Sequence, residues 1–268
     1  MTDYGRIGVG ILLLILVSII GLSTPNPVRL DPPPEIEESL LLKALEHDVY
    51  KVFSTMECHL SASAVKIANQ GATEETIRSQ LQWLVQIFPI IVDVSWVSPE
   101  GNMVYVEPEA YRGYEGSDIK DQEQIIRLHK TLLPTLSDLF LSVEGFMAMD
   151  FEWPVLGDNH FLGSISFLIR PESFWNHVFV SAGAKNQGDN IWLLDKEGTA
   201  VYHSIPERIF SNPLTLEWPE LADLTREMLD RPYGTRAYEY ISEEPRKAFW
   251  THMDLYGTRF VLVYTQKQ

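Results

Sequence analysis

Hydrophobic positions recur at steps of three and four residues between residues 36 and 67, and this spacing predicts one long amphipathic helix. The apolar members of the stripe are Ile36, Leu42, Leu45, Val49, Val52, Phe53, Met56, Leu60 and Ile67. The prolines ahead of the stripe and Gly71 behind it are suitable helix boundaries. A second helix is predicted from an N-cap at Thr73 through Leu84, so we expect residues 35–85 to form a helical stalk.

The pattern then changes to that of β-strands. Two apolar, β-branched runs, Ile90–Val97 and Asn102–Val106, flank the turn Ser98-Pro99-Glu100-Gly101. Proline presets φ and glycine tolerates φ > 0, so this stretch predicts a β-hairpin. The chain leaves the hairpin through an irregular aromatic and charged segment, residues 111–116. Polar and aromatic groups delivered from a loop beside a sheet are suited to a small-ligand pocket.

The same order of elements occurs twice along the chain. After the first hairpin we expect a helix at 119–130, strands at 139–143, 146–153 and 161–169, a helix to about residue 180, and a linker at Gly183–Gly188. A second hairpin over 191–203 overlays the first at an offset of 97 residues, with four matching pairs. The pairs are Glu100 and Glu197, Gly101 and Gly198, Val104 and Val201, and Tyr105 and Tyr202. A helix at Pro219–Asp230 and three further strands follow.

Each unit is therefore a hairpin, a crossover that carries a helix, and a meander of strands, which makes the fold class α+β. We expect a first unit at residues 86–183 and a second at 184–268. The apolar stripe of the long helix would be buried either on the sheets of these units or on the stalk of a second copy in a homodimer.

Residues Ile7–Leu22 form an apolar run without a charge. The run is just short of the usual spanning length, and a transmembrane signal anchor over 1–24 is the favoured interpretation, with a cleaved signal peptide as the alternative. A proline-rich spacer at 25–34 would lift the rest clear of the membrane. The expected location is the cell membrane, single-pass, with the C-terminal domain outside the cytoplasm, or secreted if the run is cleaved.

The chain is acidic, with a formal net charge of −16. Without a basic patch to displace counterions from phosphates, nucleic acid is not an expected partner. The single Cys58 allows no intrachain disulfide.

These elements together resemble the double Cache domain, an extracytoplasmic sensor module built from two PAS-like subdomains. The resemblance is carried by the anchor with helix 36–70 and by VDVSWVSPEGNMVYVEP, WPVLGDNHFLGSISFLI, IWLLDKEGTAVY, GTRAYEY and AFWTHMDLYGTRFVLVYT. The phrase VEPEAYRGYEGSDI is similar to anchored Cache proteins of methanogenic archaea. The resemblance implies a membrane-distal and a membrane-proximal subdomain, each with an antiparallel sheet and flanking helices. It also implies capture of a small molecule such as a carboxylate or an amino acid.

Two departures qualify what the resemblance implies. The amino-acid-sensing subfamily carries an Arg-x-aromatic-Tyr segment, which Tyr111-Arg112-Gly113-Tyr114 matches only loosely. No return transmembrane helix, kinase or methyl-accepting region follows, so we expect a sensor without its own output domain that acts on a separate signalling partner.

The candidate ligand-binding residues lie in the first unit. They are Tyr105, Tyr111, Arg112, Arg127, Asp138, Glu144 and Asp150. Arg112 is suited to hold a carboxylate with two hydrogen bonds, and the alternative is a surface ion pair with Glu109 or Glu115. The acids Asp138, Glu144 and Asp150 would hold a cationic end of the ligand.

No pattern in the sequence indicates catalysis or a metal. It contains no His-x-x-x-His, no cysteine pair and no Gly-x-Ser-x-Gly, so we expect no enzyme, no metal site and no cofactor. Asp150 and Glu152 alternate on a strand and therefore share one face. We favour a solvated strand face as their role, and the alternatives are ligand contact and a catalytic pair. A sensor is therefore the expected function. A structural or interaction protein of the cell surface is the alternative, and an extracytoplasmic hydrolase is third.

Overall fold

The computed structural model describes residues 34–158, 160–181, 190–239 and 245–268. The predicted anchor, most of the proline-rich spacer and the linker Gly183–Gly188 lie outside these residues. Among the helices that are described, none combines the length and the apolar character needed to cross a bilayer.

Two helices open the described chain. Helix α1 spans Pro34–Gln70 and α2 spans Glu74–Ile87, as the hydrophobic spacing predicts. The Thr73 hydroxyl accepts a hydrogen bond from the backbone N–H of Thr76, which confirms the predicted N-cap.

The first sheet contains β1 (Asp93–Val97), β2 (Met103–Glu107), β3 (Thr135–Leu136), β4 (Phe140–Leu141), β5 (Met147–Gly157) and β6 (His160–Ile169). All pairings are antiparallel, in the order β2-β1-β6-β5-β3, and β4 pairs with β5. A 3-10 turn at Glu109–Tyr114 and helix α3 (Glu123–Thr131) lie in the crossover. Helix α3 begins four residues later than the predicted start at 119, because residues 117–120 form turns that hydrogen-bond back to the hairpin.

Helix α4 (Pro171–Ser181) connects to the second sheet. This sheet contains β7 (Asn190–Leu194), β8 (Ala200–His203), β9 (Tyr233–Glu239), β10 (Pro245–Leu255) and β11 (Thr258–Lys267), with α5 (Pro219–Asp230) in the crossover. Its order is β8-β7-β11-β10-β9, antiparallel throughout. With β4 set aside, the two sheets have the same strand order, so the α+β fold with two antiparallel sheets is confirmed.

The offset of 97 residues between the two hairpins is confirmed at the level of the backbone. Gly101 and Gly198 both have φ +83°, and each donates its N–H to the carbonyl that opens its turn, on Ser98 and Asp195. The side chains of Ser98 and Asp195 each accept from two backbone N–H groups of the turn. Both hairpins also carry a register shift at the matching place, after Trp96 and after Leu193.

One hydrophobic core joins both sheets to α1. The buried positions of the helical stripe, among them Leu45, Val49 and Met56, pack in one cluster with apolar residues from β5, β6, β10 and β11. The sheets therefore bury this stripe within a single chain, and a second stalk is not needed for that. Side chains alternate across a strand, so each sheet also presents an opposite face that turns away from α1.

Candidate functional site

The face of the first sheet that turns away from α1 is polar. On β5, Met149 and Phe151 join the shared core, whereas Asp150 and Glu152 point to the opposite side. The same alternation on the neighbouring strands adds polar groups beside them. These are Asp93 and Ser95 on β1, and Ser164 and Ser166 on β6.

This polar face forms the floor of a narrow cleft with a cavity volume of about 20 Å³. The segment before α3 and the chain around β4 form its walls. The lining residues are Asp93, Ser95, Met103, Ile119, Gln122, Phe140, Ser142, Val143, Glu144, Asp150, Ser166 and Leu168. The cleft has the convergent polar groups of a small-molecule site, and its enclosed space is that of about one water molecule or one ammonium group.

Three carboxyl groups on the floor are almost completely buried. Asp93, Asp150 and Glu152 expose 1%, 3% and 0% of their surface. The interpretation of Asp150 and Glu152 as a solvated strand face is therefore wrong, because the walls of the cleft cover the strand. The Ser166 hydroxyl donates a hydrogen bond to Asp150. Neither carboxylate oxygen of Asp93 or of Glu152 has a hydrogen-bond partner within the described residues.

Burial and mutual repulsion raise the pKa values of these three carboxyl groups. Burial raises the pKa of Asp150 to about 6. Burial, followed by the charges of Glu144 and Asp150, raises the pKa of Asp93 well above its usual range. Burial and then the charge of Asp150 raise the pKa of Glu152 in the same direction. The cluster therefore favours a bound cation, which would relieve both the desolvation and the repulsion.

No Lys, Arg or His from the described part of the chain lines this cleft. Its polar atoms are carboxylates, hydroxyls and the amide of Gln122. Carboxylates accept hydrogen bonds, and an ammonium group offers three donors. The arrangement is therefore complementary to an organic cation. No group of three or more acidic, His or Cys residues with metal-binding geometry occurs among the residues described.

The structure brings Glu144 and Asp150, two of the seven predicted site residues, to this cleft. Arg112 lies elsewhere and donates to Glu107 at 2.7 Å. Glu107 also accepts from Gln82 and from Arg78 of α2. The ion-pair partner of Arg112 is thus Glu107 on β2, and not the neighbouring Glu109 or Glu115 of the surface alternative.

Both predicted tyrosines also have structural contacts. The ring of Tyr105 lies under the guanidinium of Arg78, 4.6 Å from the ring centroid. Tyr111 stacks with Tyr114 at 6.4 Å, and both pack on a small cluster that includes Met103.

Arg127 and Asp138 connect the two sheets. The Arg127 guanidinium donates to the carbonyl of Gly257 at 3.0 Å and to the carbonyl of Leu136. The Asp138 carboxylate accepts from the ammonium group of Lys196 at 2.6 Å.

Asp93, Ser95 and Ser166 line the cleft and were not among the predicted site residues. Asp93 and Ser95 fall inside the apolar run Ile90–Val97, where the hydrophobic content hides them. The available signal was their alternation with Val94 and Trp96. A polar residue at every second position marks a second face with its own chemistry.

The fold and part of the sequence are similar to sensor domains. Residues 51–171 match the family model for the sensor domain of HK/GC/chemotaxis-like proteins. The chain is 29% identical to an extracellular ligand binding receptor from Desulfohalobium retbaense, with a TM-score of 0.74, over 87% of this chain and 40% of that one. It therefore spans well under half of that receptor.

Two chemoreceptor ligand-binding domains share the fold over 87% of this chain. Campylobacter jejuni Tlp3, solved with 4-methylisoleucine, is 16% identical with a TM-score of 0.66, and 90% of it is covered. Pseudomonas fluorescens CtaA, solved with L-alanine, is 9% identical with a TM-score of 0.65, and 97% of it is covered. The comparison with curated proteins gave no match. The resemblance to double Cache sensor domains is confirmed by the matched family and by these neighbours.

Proposed function

We propose that this chain is an outward-facing sensor module that captures a small organic amine in the cleft of the first sheet. One observation carries the proposal: the carboxyl groups of Asp93, Glu144 and Asp150 line a small cleft in which no described lining residue is cationic. The sensor family matched by residues 51–171 supports the class of function. The apolar run Ile7–Leu22 is proposed as the membrane anchor and a separate protein as the signalling partner.

Binding of a cation is favoured because the site combines negative charge with carboxylate oxygens that have no hydrogen-bond donor among the described residues. A buried carboxylate without a partner is costly, and a charge-assisted hydrogen bond to an ammonium group offsets that cost. Asp150 and Glu144 would each accept one ammonium N–H, with Asp93 beneath them. The cleft has room for the ammonium group, and Phe140, Val143 and Leu168 of its lining would contact the first carbons of a ligand whose remainder lies outside the enclosed space.

Amino acids are the alternative ligand class. Tlp3 and CtaA were solved with amino acids, whose ammonium group would fit the same carboxylates. Such a ligand also needs a partner for its carboxylate. In this cleft only the amide of Gln122 and serine hydroxyls such as that of Ser142 could donate to it, because Arg112 is bound to Glu107. We therefore expect an amine to bind more tightly than the amino acid from which it derives.

Isothermal titration with matched pairs tests the proposal. Isobutylamine and valine share a carbon skeleton and differ by the carboxylate, and isobutanol lacks the charge. We expect affinity in the order amine, amino acid, alcohol. Asp150→Asn should weaken amine binding by roughly 2–4 kcal/mol, because a buried charge pair is lost. Asp118→Asn, which removes an exposed carboxylate of the same region, is the matched control.

The pH dependence gives a second measurement of the same site. A bound cation stabilises the ionised carboxylates, so binding releases protons and the affinity should rise with pH around the Asp150 pKa of about 6. Asp150→Asn should reduce this slope. If a panel of amines and amino acids gave no heat at millimolar concentration, a structural or interaction role would replace the sensor proposal.

A further inference from the structure

The second sheet has a cleft at the corresponding place, with the opposite chemistry. Asn190 on β7 occupies the position that Asp93 occupies on β1. Asp93 forms the first residue pair of β1 with β6, and Asn190 forms the corresponding pair of β7 with β11. Two positions further, Trp192 stands in place of Ser95, and Val263 stands in place of Ser166. On β10, Ala248 and Trp250 stand in place of Asp150 and Glu152 of β5, so the carboxylates of these strands have no counterpart in the second sheet.

This second cleft has a cavity volume of about 210 Å³ and is mostly apolar. Strands β7 and β8, the turn at 206–208 and the beginning of α5 form it. The lining residues are Trp192, Ala200, His203, Glu207, Arg208, Ser211, Pro213, Leu216, Trp218 and Leu221. Two indole rings and two leucines provide walls for an apolar or aromatic body.

Two hydrogen-bond donors on residues that line this cleft are buried, and neither has an acceptor among the described residues. His203 is 4% exposed, and its Nδ1 accepts the backbone N–H of Ile205 at 2.9 Å. A neutral imidazole that accepts at Nδ1 carries its proton on Nε2. Nε2 of His203 and Nε1 of Trp192, which is 2% exposed, find no partner in the ranges that the structure describes. The two rings stack with centroids 5.3 Å apart.

The local charge near these donors is positive. Arg208 lines the cleft, and Arg246 is buried on β10. Burial first, and then the charges of Arg208 and Arg246, lower the pKa of His203 to about 3. His203 therefore stays neutral at physiological pH and remains a donor at Nε2. Glu207 also lines the cleft, but its side chain is exposed.

We propose that the cleft between β7, β8 and α5 is a second binding site, for a small organic carboxylate with an apolar or aromatic body. The carboxylate accepts from Nε2 of His203 and Nε1 of Trp192 and is balanced by the charge of Arg208. Its body packs between Trp192, Trp218 and Leu221. Buried donors without acceptors are a desolvation cost that an anionic acceptor removes. The two clefts of one chain would then take ligands of opposite charge.

Isothermal titration of the whole 268-residue chain with benzoate, phenylacetate and butyrate tests this site. Benzyl alcohol and benzylamine serve as the neutral and cationic counterparts of benzoate. We expect at least one carboxylate to bind, and its alcohol and amine counterparts to bind at least about tenfold more weakly, because only the anion satisfies the donors and the positive charge.

Four variants locate the binding. Arg208→Gln and His203→Phe should each weaken the carboxylate at least about tenfold, since each removes one of its partners. Arg226→Gln, which removes an exposed arginine of α5 paired with Asp223, and Asp150→Asn in the first cleft should leave it unchanged. Arg208→Gln decides the outcome alone if His203→Phe does not fold.

Three results would overturn the proposal. One is the absence of heat from every carboxylate at millimolar concentration. Another is binding that Arg208→Gln does not weaken. The third is binding that Asp150→Asn abolishes, which would place the carboxylate in the first cleft. None of these depends on whether an amine binds to the first cleft, so this proposal and the sensor proposal fail separately.

Discussion

The two sheets of this protein share a backbone plan and differ in the chemistry of one face. Their hairpins match at an offset of 97 residues down to the turn hydrogen bonds. Toward α1 both sheets present apolar side chains, which meet in one core. On the opposite face the first sheet presents the buried carboxyl groups of Asp93 and Glu152, and the second presents the imidazole of His203 and the indole of Trp192. Their free acceptor and donor atoms have no partner among the described residues.

The difference follows from the two-residue period of a strand. A substitution at every second position changes one face and leaves the packing of the other untouched. Asp93 and Asn190 occupy matching places, while their neighbours Val94 and Ile191 both remain in the shared core. A duplicated unit can therefore acquire a new ligand chemistry without new backbone geometry. The three predictions below test this comparison.

The largest expected effect comes from breaking what the sheets share. Val49 of α1 is fully buried in the core that joins both sheets, so Val49→Asp forces an unpaired charge into an apolar environment. We expect it to lower the free energy of unfolding in urea by about 3–5 kcal/mol. Val65→Asp is the matched control, because Val65 lies on the same helix and is 59% exposed. A loss of similar size in both variants would contradict a core role for the α1 stripe.

The pH dependence of stability should have opposite signs in the two clefts. In the second, burial holds the pKa of His203 at about 3, below its unfolded value of about 6.5. The unfolded chain binds a proton that the folded chain does not, so this group destabilises the fold as pH decreases below about 6.5. From pH 7 to pH 5 this group alone lowers the free energy of unfolding by about 2 kcal/mol, which urea unfolding measures as the change in the difference between the native chain and His203→Phe.

In the first cleft the pKa of Asp150 is about 6 in the folded chain, above its unfolded value near 3.8. Here the folded chain binds the additional proton, so stability is greatest below the unfolded pKa and decreases as pH rises through about 6. From pH 5 to pH 8 this group alone lowers the free energy of unfolding by about 1–2 kcal/mol, measured as the change in the difference between the native chain and Asp150→Asn. Each variant is the control for the other. His203→Phe should keep the decrease in unfolding free energy that Asp150 causes above pH 5, and Asp150→Asn should keep the decrease that His203 causes below pH 7. Equal slopes in both variants and the native protein would refute the contrast.

The smallest expected contrast is between the two hairpin turns. Gly101 and Gly198 have the same left-handed φ, so alanine strains both turns by about 1–2 kcal/mol. A Cβ at Gly101 would also lie 2.6 Å from the Cα of Lys120, whereas at Gly198 the nearest atom is Leu214 Cδ1 at 3.2 Å. We expect Gly101→Ala to cost about 1 kcal/mol more than Gly198→Ala in thermal or urea unfolding. An equal cost would mean that the chain at Lys120 moves away freely.

The sequence by itself determined the elements and their repetition. Local signals predicted these elements, and the structure contains them. The signals are the three- and four-residue hydrophobic steps of α1, the N-cap at Thr73, and the proline and glycine turns. The offset of 97 residues was visible because both hairpins need the same turn chemistry. The fold class follows from the order of these elements.

Only the tertiary structure decided which side chains meet. Arg112 was predicted in a pocket, but Glu107 on β2 lies within hydrogen-bond distance and binds it. Arg127 lies nine residues from Leu136 and 130 from Gly257, and it donates to the carbonyls of both. Asp93 lies within an apolar run of the sequence, and only the pairing of β1 with β6 brings it to the same cleft as Ser166. Convergence of this kind depends on strand pairing over long sequence separations, which no local pattern encodes.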